Sequence, residues 1–420
     1  MKIKSIRGVK DILPGEIEKW QGVESTARSV FSRYGFREIR IPIFESTRLF
    51  ARSIGETTDI VEKEMYTFQD RSGDSITLRP EGTASVVRAF IEHRMYGPGQ
   101  VSKLYYMGPM FRYERPQAGR FRQFYQIGVE AMGTSSPAMD AETISMLMLF
   151  YHELGLQDLT LHINSLGSSA SRDAYREVLK DAIRPHLETL CPNCNARYER
   201  NPLRVLDCKV DACVKIAGGL PRIQDHLIEE DKDHFHQVQA ALNSIGTDYQ
   251  VNDRLVRGLD YYSRTTFEVT AGGLGSQNAV CGGGRYDGLV EEFGGPATPC
   301  FGFAMGMERL ITILPDPEAA AAGPGADVFL VLLGEAARNL GFSLIHRLRR
   351  QGFRVERDYE GGSMKSQMRK ANKSGAKYAV LLGDNEIQSG RCPVKEMETG
   401  TQVEAPVDSL ESALQIHRED

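Results

Sequence analysis

Two β-type segments, SKLYYMGPMFRYE and RFRQFYQIGVEAMG, flank the turn-forming stretch RPQAG within residues 102–133, so this part of the chain reads as two strands around a loop. Between Phe111 and Glu130 the pair sets four arginines (Arg112, Arg115, Arg120 and Arg122) among five aromatic residues, in a chain of formal net charge −5. Three uses fit such cations: a solvated amphipathic hairpin, an RNA-binding surface, or a nucleotide pocket. Arginine offers a rigid fork for bidentate phosphate binding and a flat face for stacking. Pro116 and Gly119 bracket the loop. A loop that grips a triphosphate while a strand floor supports an adenine needs these residue types.

The 420 residues exceed one core, and the length prior gives roughly two to three domains. The N-terminus, MKIKSIRGVK, runs on without an apolar export core, and runs such as ISMLMLF and VFLVLL are far too short to span a bilayer. A cytoplasmic protein with no membrane partner is expected. Seven cysteines without an export signal point to reduced thiols. The mild acidity excludes a whole-protein polyanion binder but leaves room for a local basic face.

Residues 16–34 carry helical apolar spacing, and Gly35 stops that helix before the β-type run FREIRIPIF. MYTFQD and DSITLRP read as strands around a tight turn, and ASVVRAFIEHRMY as a helix, which places Glu81 and Thr83 at a strand-to-helix junction. Asp140 is expected to cap a helix running through Leu154 to Gly155. Polar helices follow from about 161 to 250, and glycine-rich β-type sequence then resumes in RLVRGLDYYSRTTFEVT and NAVCGGGRYDGLV. A helix from about Met305 to Ile313 ends that block. PDPEAAAAGPGAD is the best linker, and beyond it VFLVLLG, FRVERDY and YAVLLG alternate with helices at 335–351 and 363–374, a small α/β domain with a mostly parallel sheet. Residues 335–377 hold eleven Lys or Arg against four Asp or Glu, which suits a polyanion such as RNA.

The glycines of CGGGRYDG, residues 281–288, lack phosphate-loop and dinucleotide-binding spacings and fit a strand packed closely against backbone or ligand. Cys281 beside them reads as a buried structural thiol. Cys191, Cys194, Cys208 and Cys213, spaced C-x2-C then C-x4-C, could close a tetrahedral zinc site, with ordinary reduced thiols as the simpler reading. Glu81 and Glu130 are either surface acids or buried acids for an amine or an imidazole.

Taken together, these stretches resemble the class II aminoacyl-tRNA synthetases, and specifically the histidyl-tRNA synthetase family, over nearly the whole chain. YGFREIRIPIFE around Pro42 resembles motif 1, FRYERP motif 2, and GFAMGMERL (302–310) motif 3, while RGLDYYSRTTFEV and CGGGRYDGL resemble the two histidine-specific signatures, highly specific together with LRPEGT. The resemblance implies an α+β protein: an antiparallel-sheet catalytic core in two parts, 1–160 and 251–318, a helical insertion at 161–250, a linker at 319–326, and an anticodon-binding α/β domain at 327–420. It implies a homodimer joined through the motif 1 region, with ATP, L-histidine, tRNA(His) and Mg2+ as substrates and cofactor. Arg112 and Arg309 would hold the α- and γ-phosphates with Arg120 assisting. Glu81, Thr83 and Gln126 would receive the α-amino group of histidine, with Gly82 in the same pocket. Glu130 and Tyr262 would meet the imidazole, Tyr261 would line the pocket, and Arg257 would lie between the histidine carboxylate and the α-phosphate. Arg115 and Arg122 receive no role.

The main rival is a histidine-sensing regulatory subunit of ATP phosphoribosyltransferase, which resembles this core but typically lacks the anticodon-binding domain and the catalytic arginines. The presence of Arg112, Arg257 and Arg309, and of about ninety-five residues beyond the linker, argues against it. The histidine signatures argue against another synthetase of the subgroup. A pure RNA-binding module would not require three arginines in three distant motifs.

Overall fold

A computed structural model describes residues 3–54, 60–116, 119–258, 261–272, 274, 278–315 and 325–414. Contacts divide the chain into two units, Met1–Asp316 and Pro317–Asp420. Of the expected linker, residues 319–324 lie outside the described residues.

In the first unit, α1 (Ile17–Arg33) buries Trp20, Val23, Ala27, Val30 and Phe31 at helical intervals, and Gly35, at φ +78°, turns the chain out of it. The run FREIRIPIF forms two short strands, β1 (Arg37–Glu38) and β2 (Phe44–Ser46). Pro42 between them has no N–H to give a ladder. There follow α2 (Thr47–Ile54), β3 (Tyr66–Gln69), β4 (Ser75–Leu78), α3 (Thr83–Glu92), β5 (Ser102–Phe111), β6 (Gln123–Met132) and α4 (Pro137–Glu153). The cap of α4 is Ser136, whose hydroxyl accepts from the Ala138 N–H at 3.3 Å ahead of Pro137. Asp140, the expected cap, is fully buried in the first turn instead. The unit continues through β7 (Leu159–Ser165), α5 (Ser169–Ile183), α6 (Pro192–Arg200), α7 (Asp211–Ala217), α8 (Glu229–Ser244), β8 (Gln250–Val251), β9 (Ser263–Ala271), β10 (Ala279–Arg285), α9 (Leu289–Glu292), β11 (Cys300–Gly306) and α10 (Met307–Ile313).

An eight-stranded sheet in the order β1-β5-β6-β11-β10-β9-β7-β8 organises the unit, antiparallel except for the pairings at its two edges. Alternation along each strand separates two faces. Ile127, Val129 and Ala131 of β6, Phe301, Phe303 and Met305 of β11, and Phe267 and Val269 of β9 pack with apolar residues of α1, α4 and α8. Each fully buried phenylalanine there contributes about 1.5–3 kcal/mol. The alternate residues, Phe124, Gln126 and Glu130 of β6 with Gly302, Ala304 and Gly306 of β11, line the opposite face and build the site. Within the segment expected as an insertion, β7 is thus a strand of this sheet and α8 packs into its core. The helices between them gather around a separate apolar cluster that includes Tyr175, Leu179, Ile183, Val205 and Leu227.

Arg285 and Asp140 are both fully buried. The guanidinium lies with Nη2 2.7 Å from Asp140 Oδ1, donates from Nε to Oδ2 at 3.0 Å, and donates to the Thr134 and Ser136 carbonyls. This pair ties the end of β10 to the start of α4.

In the second unit, β12 (Val328–Leu332), α11 (Glu335–Arg350), β13 (Val355–Arg357), α12 (Met364–Lys373), β14 (Tyr378–Leu382), α13 (Asp384–Ser389), β15 (Arg391–Glu396) and β16 (Gln402–Pro406) form a sheet in the order β13-β12-β14-β15-β16. The first three strands are parallel, but β15 and β16 add antiparallel pairings. The sheet is therefore mixed, not mostly parallel. Among the described residues no helix is long and apolar enough to cross a membrane.

Replacing Arg285 by Met leaves Asp140 buried without its cation, and urea denaturation is expected to register a loss of about 3–5 kcal/mol. The double variant Arg285→Met/Asp140→Leu, which removes both charges, is expected to be more stable than Arg285→Met alone.

Candidate active site

A cleft of about 330 Å³ opens on the polar face of the large sheet, and Glu81, Thr83, Arg112, Arg120, Gln126, Glu130, Arg257, Tyr261, Tyr262 and Arg309 all line it. Residues from distant parts of the chain thus meet in one cavity. Gly82 does not line it: a Cβ there would fall 2.2 Å from the Tyr106 ring. Arg115 and Arg122 do not line it either. Arg122 instead lies 4.0 Å from the centre of the Tyr113 ring, and its backbone N–H donates to the Gly8 carbonyl at 2.7 Å, fastening the loop to the N-terminal segment.

One set of lining side chains is acidic and nearly buried. Glu81 and Glu130 are 5% and 1% exposed. Glu81 accepts the backbone N–H groups of Thr83 at 2.6 Å and Ala84 at 2.9 Å, satisfying the otherwise unpartnered start of α3. The Thr83 hydroxyl donates to Glu130 Oε1 at 2.7 Å, and the Tyr286 hydroxyl donates to Oε2. Burial raises both carboxyl groups above their ordinary range, Glu130 to about 8, against the pull of these donors. Burial also raises the phenols of Tyr261 and Tyr262, which therefore remain neutral donors near neutral pH. Gln126 Oε1 and Arg257 Nε are buried without a hydrogen-bond partner among the described residues. Such atoms suit a polar ligand.

Another set is cationic. Arg112 donates from Nε to the Pro80 carbonyl at 2.8 Å and stacks 5.2 Å from the centre of the Phe124 ring. Arg309 donates to the Ala279 carbonyl at 2.7 Å, and burial together with the charges of Arg120 and Arg112 lowers its pKa. Glu114 offsets part of this charge, lying 3.4 Å from Arg120 and 3.8 Å from Arg112. Like charges held together in a partly buried cleft favour an anion between them. Arg257 donates to Glu268 at 2.8 Å and lies 5.9 Å from the centre of the Tyr262 ring.

Glycine makes room for these groups. A Cβ on Gly302, the cross-strand partner of Glu130, would fall 2.1 Å from Glu130 Oε2, and one on Gly282 would fall 2.2 Å from Arg257 Nη2. A Cβ on Gly283 would meet the Gly302 carbonyl at 2.2 Å. The CGGG run is therefore both close strand packing and the bed of an arginine. Cys281 is buried and burial pushes its thiol up to about 12, as suits a structural cysteine. Tyr286 and Glu268 were not identifiable from the sequence pattern. Tyr286 sits one residue past the end of β10, and Glu268 lies in an ordinary strand alternation with nothing local to mark its arginine partner.

Comparison with known proteins agrees with this geometry. The family model described as histidyl-tRNA synthetase matches residues 8–310, and the one described as anticodon binding domain matches residues 327–417. The histidine–tRNA ligase of Syntrophotalea carbinolica is 52% identical over 414 residues, covering 99% of this chain and 98% of that protein. That of Geobacter sulfurreducens is also 52% identical, covering 99% and 100%. The crystal structure of apo S. aureus histidyl-tRNA synthetase superposes with a TM-score of 0.84 at 40% identity, covering 98% of this chain and all of that one. With the arginines and carboxylates of its motifs gathered in one cleft of an antiparallel sheet, this chain belongs to the histidyl-tRNA synthetase family, the class II aminoacyl-tRNA synthetases specific for histidine.

Proposed function

We propose that the cleft activates L-histidine with ATP to histidyl-adenylate and pyrophosphate, and then passes histidine to the 3′ end of tRNA(His). The observation that carries this reading is one cavity lined both by arginines and by buried carboxylates, with Arg257 beside Tyr262. Arg112, Arg309 and Arg120 hold the triphosphate. Glu81, Thr83 and Gln126 receive the α-amino group, Glu130 and Tyr262 the imidazole, and Tyr261 closes the pocket wall. Attack of a carboxylate on the α-phosphate brings two anions together and builds negative charge at phosphorus, so fixed cations are the main catalytic device. Arg257 neutralises that charge, and Glu268 keeps its guanidinium in place. A side chain unable to hydrogen-bond would leave Glu130 and Tyr262 unpaired, a penalty that supports discrimination of about 10⁴ or more.

Magnesium belongs to this proposal as the ion that neutralises the triphosphate, held largely by the phosphates themselves. We also place the protein in the cytoplasm as a homodimer joined through the motif 1 region. In support, Phe44 and Phe68 stand 57% and 49% exposed on the small sheet β2-β4-β3, and Ile43 beside them is 45% exposed. The basic segment 335–377 of the α/β unit is the partner surface for the tRNA anticodon.

Exchange of labelled pyrophosphate into ATP is expected only when histidine is added. Equal exchange with proline or threonine, or none with any amino acid, would overturn the assignment. Arg257→Ala is expected to slow adenylate formation by on the order of 10² or more while weakening histidine binding much less, as read by rapid quench and equilibrium titration.

The raised pKa of Glu130 has a defined sign. Between its ordinary value of 4.5 and about 8 the ligand-free folded protein holds a proton that the unfolded chain releases. The resulting stability is full below the unfolded value and is lost as pH rises through about 8. Relative to Glu130→Gln, the protein is expected to lose up to about 1.4 kcal/mol per pH unit across that window. Urea titrations at pH 6 and pH 8 measure the difference, and a gap that does not change with pH would locate the proton elsewhere.

A further inference from the structure

The four clustered cysteines lie outside the cleft, and nothing in the activation of histidine uses them. Cys191 precedes α6 and Cys194 sits in its first turn, while Cys208 precedes α7 and Cys213 sits in its first turn. Their four Sγ atoms all lie within 4.8 Å of one another, and all four thiols are free. Cys191 and Cys208 are 3.9 Å apart, too far for a disulfide. Four sulfurs placed tetrahedrally around zinc at about 2.3 Å would stand about 3.8 Å from each other. Ordinary core cysteines have no reason to turn four sulfurs toward one point, since a thiol packs as a small apolar group.

The backbone also aims donors at the sulfurs. The Cys191 N–H donates to Cys213 Sγ at 3.3 Å, and the Val210 N–H to Cys208 Sγ at 3.5 Å. A neutral thiol is a weak acceptor, whereas a metal-bound thiolate gains from such bonds. The surrounding segment is built of short elements. Between Ile183 and Glu229 the longest regular element is α6, with 9 residues, and the rest are short helical turns. Elements of that length depend on external ties.

We propose that Cys191, Cys194, Cys208 and Cys213 bind one structural zinc ion, which closes the insertion by joining the start of α6 to the start of α7. Four thiolate ligands leave no position for water, so the ion has no catalytic task. On binding, each thiol still protonated gives its proton to solvent as its sulfur takes the metal. The compact sulfur set suits a single ion, because a cluster with several irons holds its thiolates on different metals and farther apart.

The test is metal analysis of the full-length protein purified without chelator from zinc-supplemented cells, with Cys208→Ser and Cys392→Ala made alongside. The proposal expects about one zinc per chain in the wild type and in Cys392→Ala, whose thiol lies in the other unit, and a loss of roughly tenfold or more in Cys208→Ser. Should Cys208→Ser fail to fold, cobalt loading of stripped wild-type protein decides instead, and intense tetrahedral thiolate bands at one equivalent are expected. Zinc near zero in the wild type, zinc retained in folded Cys208→Ser, iron with acid-labile sulfide, or no thiolate bands with cobalt would each overturn it.

Discussion

Burying two carboxylic acids, Glu130 on β6 and Glu81 just before α3, is the constraint on which the site depends. Glu81 and Glu130 are nearly buried, which disfavours their charged forms, and they need hydrogen-bond donors close by. The donors come from the start of α3, from Thr83 and from Tyr286. They can approach because the neighbouring strand positions carry no side chains. Gly302 leaves space for Glu130, Gly282 for Arg257, and Gly128, where a Cβ would lie 2.1 Å from the Tyr106 ring, for the tyrosine that packs below. The glycines thus let charged groups lie flat against backbone, where rotamer freedom is small and reorganisation during the reaction is slight.

The parts of this arrangement that were legible in the sequence share a local cause. The strand pair around RPQAG, the helix stopped by Gly35 and the alternation of β6 are written in neighbouring residues, so their spacing could be read directly. Glu81 and Thr83 could be placed at a strand-to-helix junction for the same reason. What was not legible depends on residues far apart in the chain. The Asp140 carboxylate reads as a helix cap until Arg285 is known to lie against it, although the Ser136-Pro137 pair was a better cap signal. The hairpin of β15 and β16 escaped because Pro393 and Pro406 weaken a strand reading, and only pairing with β14 makes the segment a sheet edge. The spacing of the four cysteines left both a zinc site and ordinary thiols open, and only the fold brings their sulfurs together.

The insertion is not isolated from the chemistry. Arg200, Asn201, Leu203 and Arg204, in the segment between Cys194 and Cys208, share a second, smaller cavity with Arg257 and Tyr262. Arg257 and Tyr262 thus line both cavities. That segment therefore borders the arginine proposed above to neutralise charge at the α-phosphate.

The order of strands in the large sheet also sets a schedule. Met132 of β6 pairs with Cys300 of β11, so the middle of the sheet cannot close until residue 300 has been made. At about 5–20 residues per second, β6 waits on the order of ten to thirty seconds on the ribosome with one edge unpaired. During that interval β5 and β6 are a hairpin with an apolar face and an open row of backbone donors, a form prone to pair with other chains. Nascent chains of this protein are thus exposed to aggregation chiefly before the glycine-rich strands emerge, and the strands that form the floor of the cleft are also those that end that exposure.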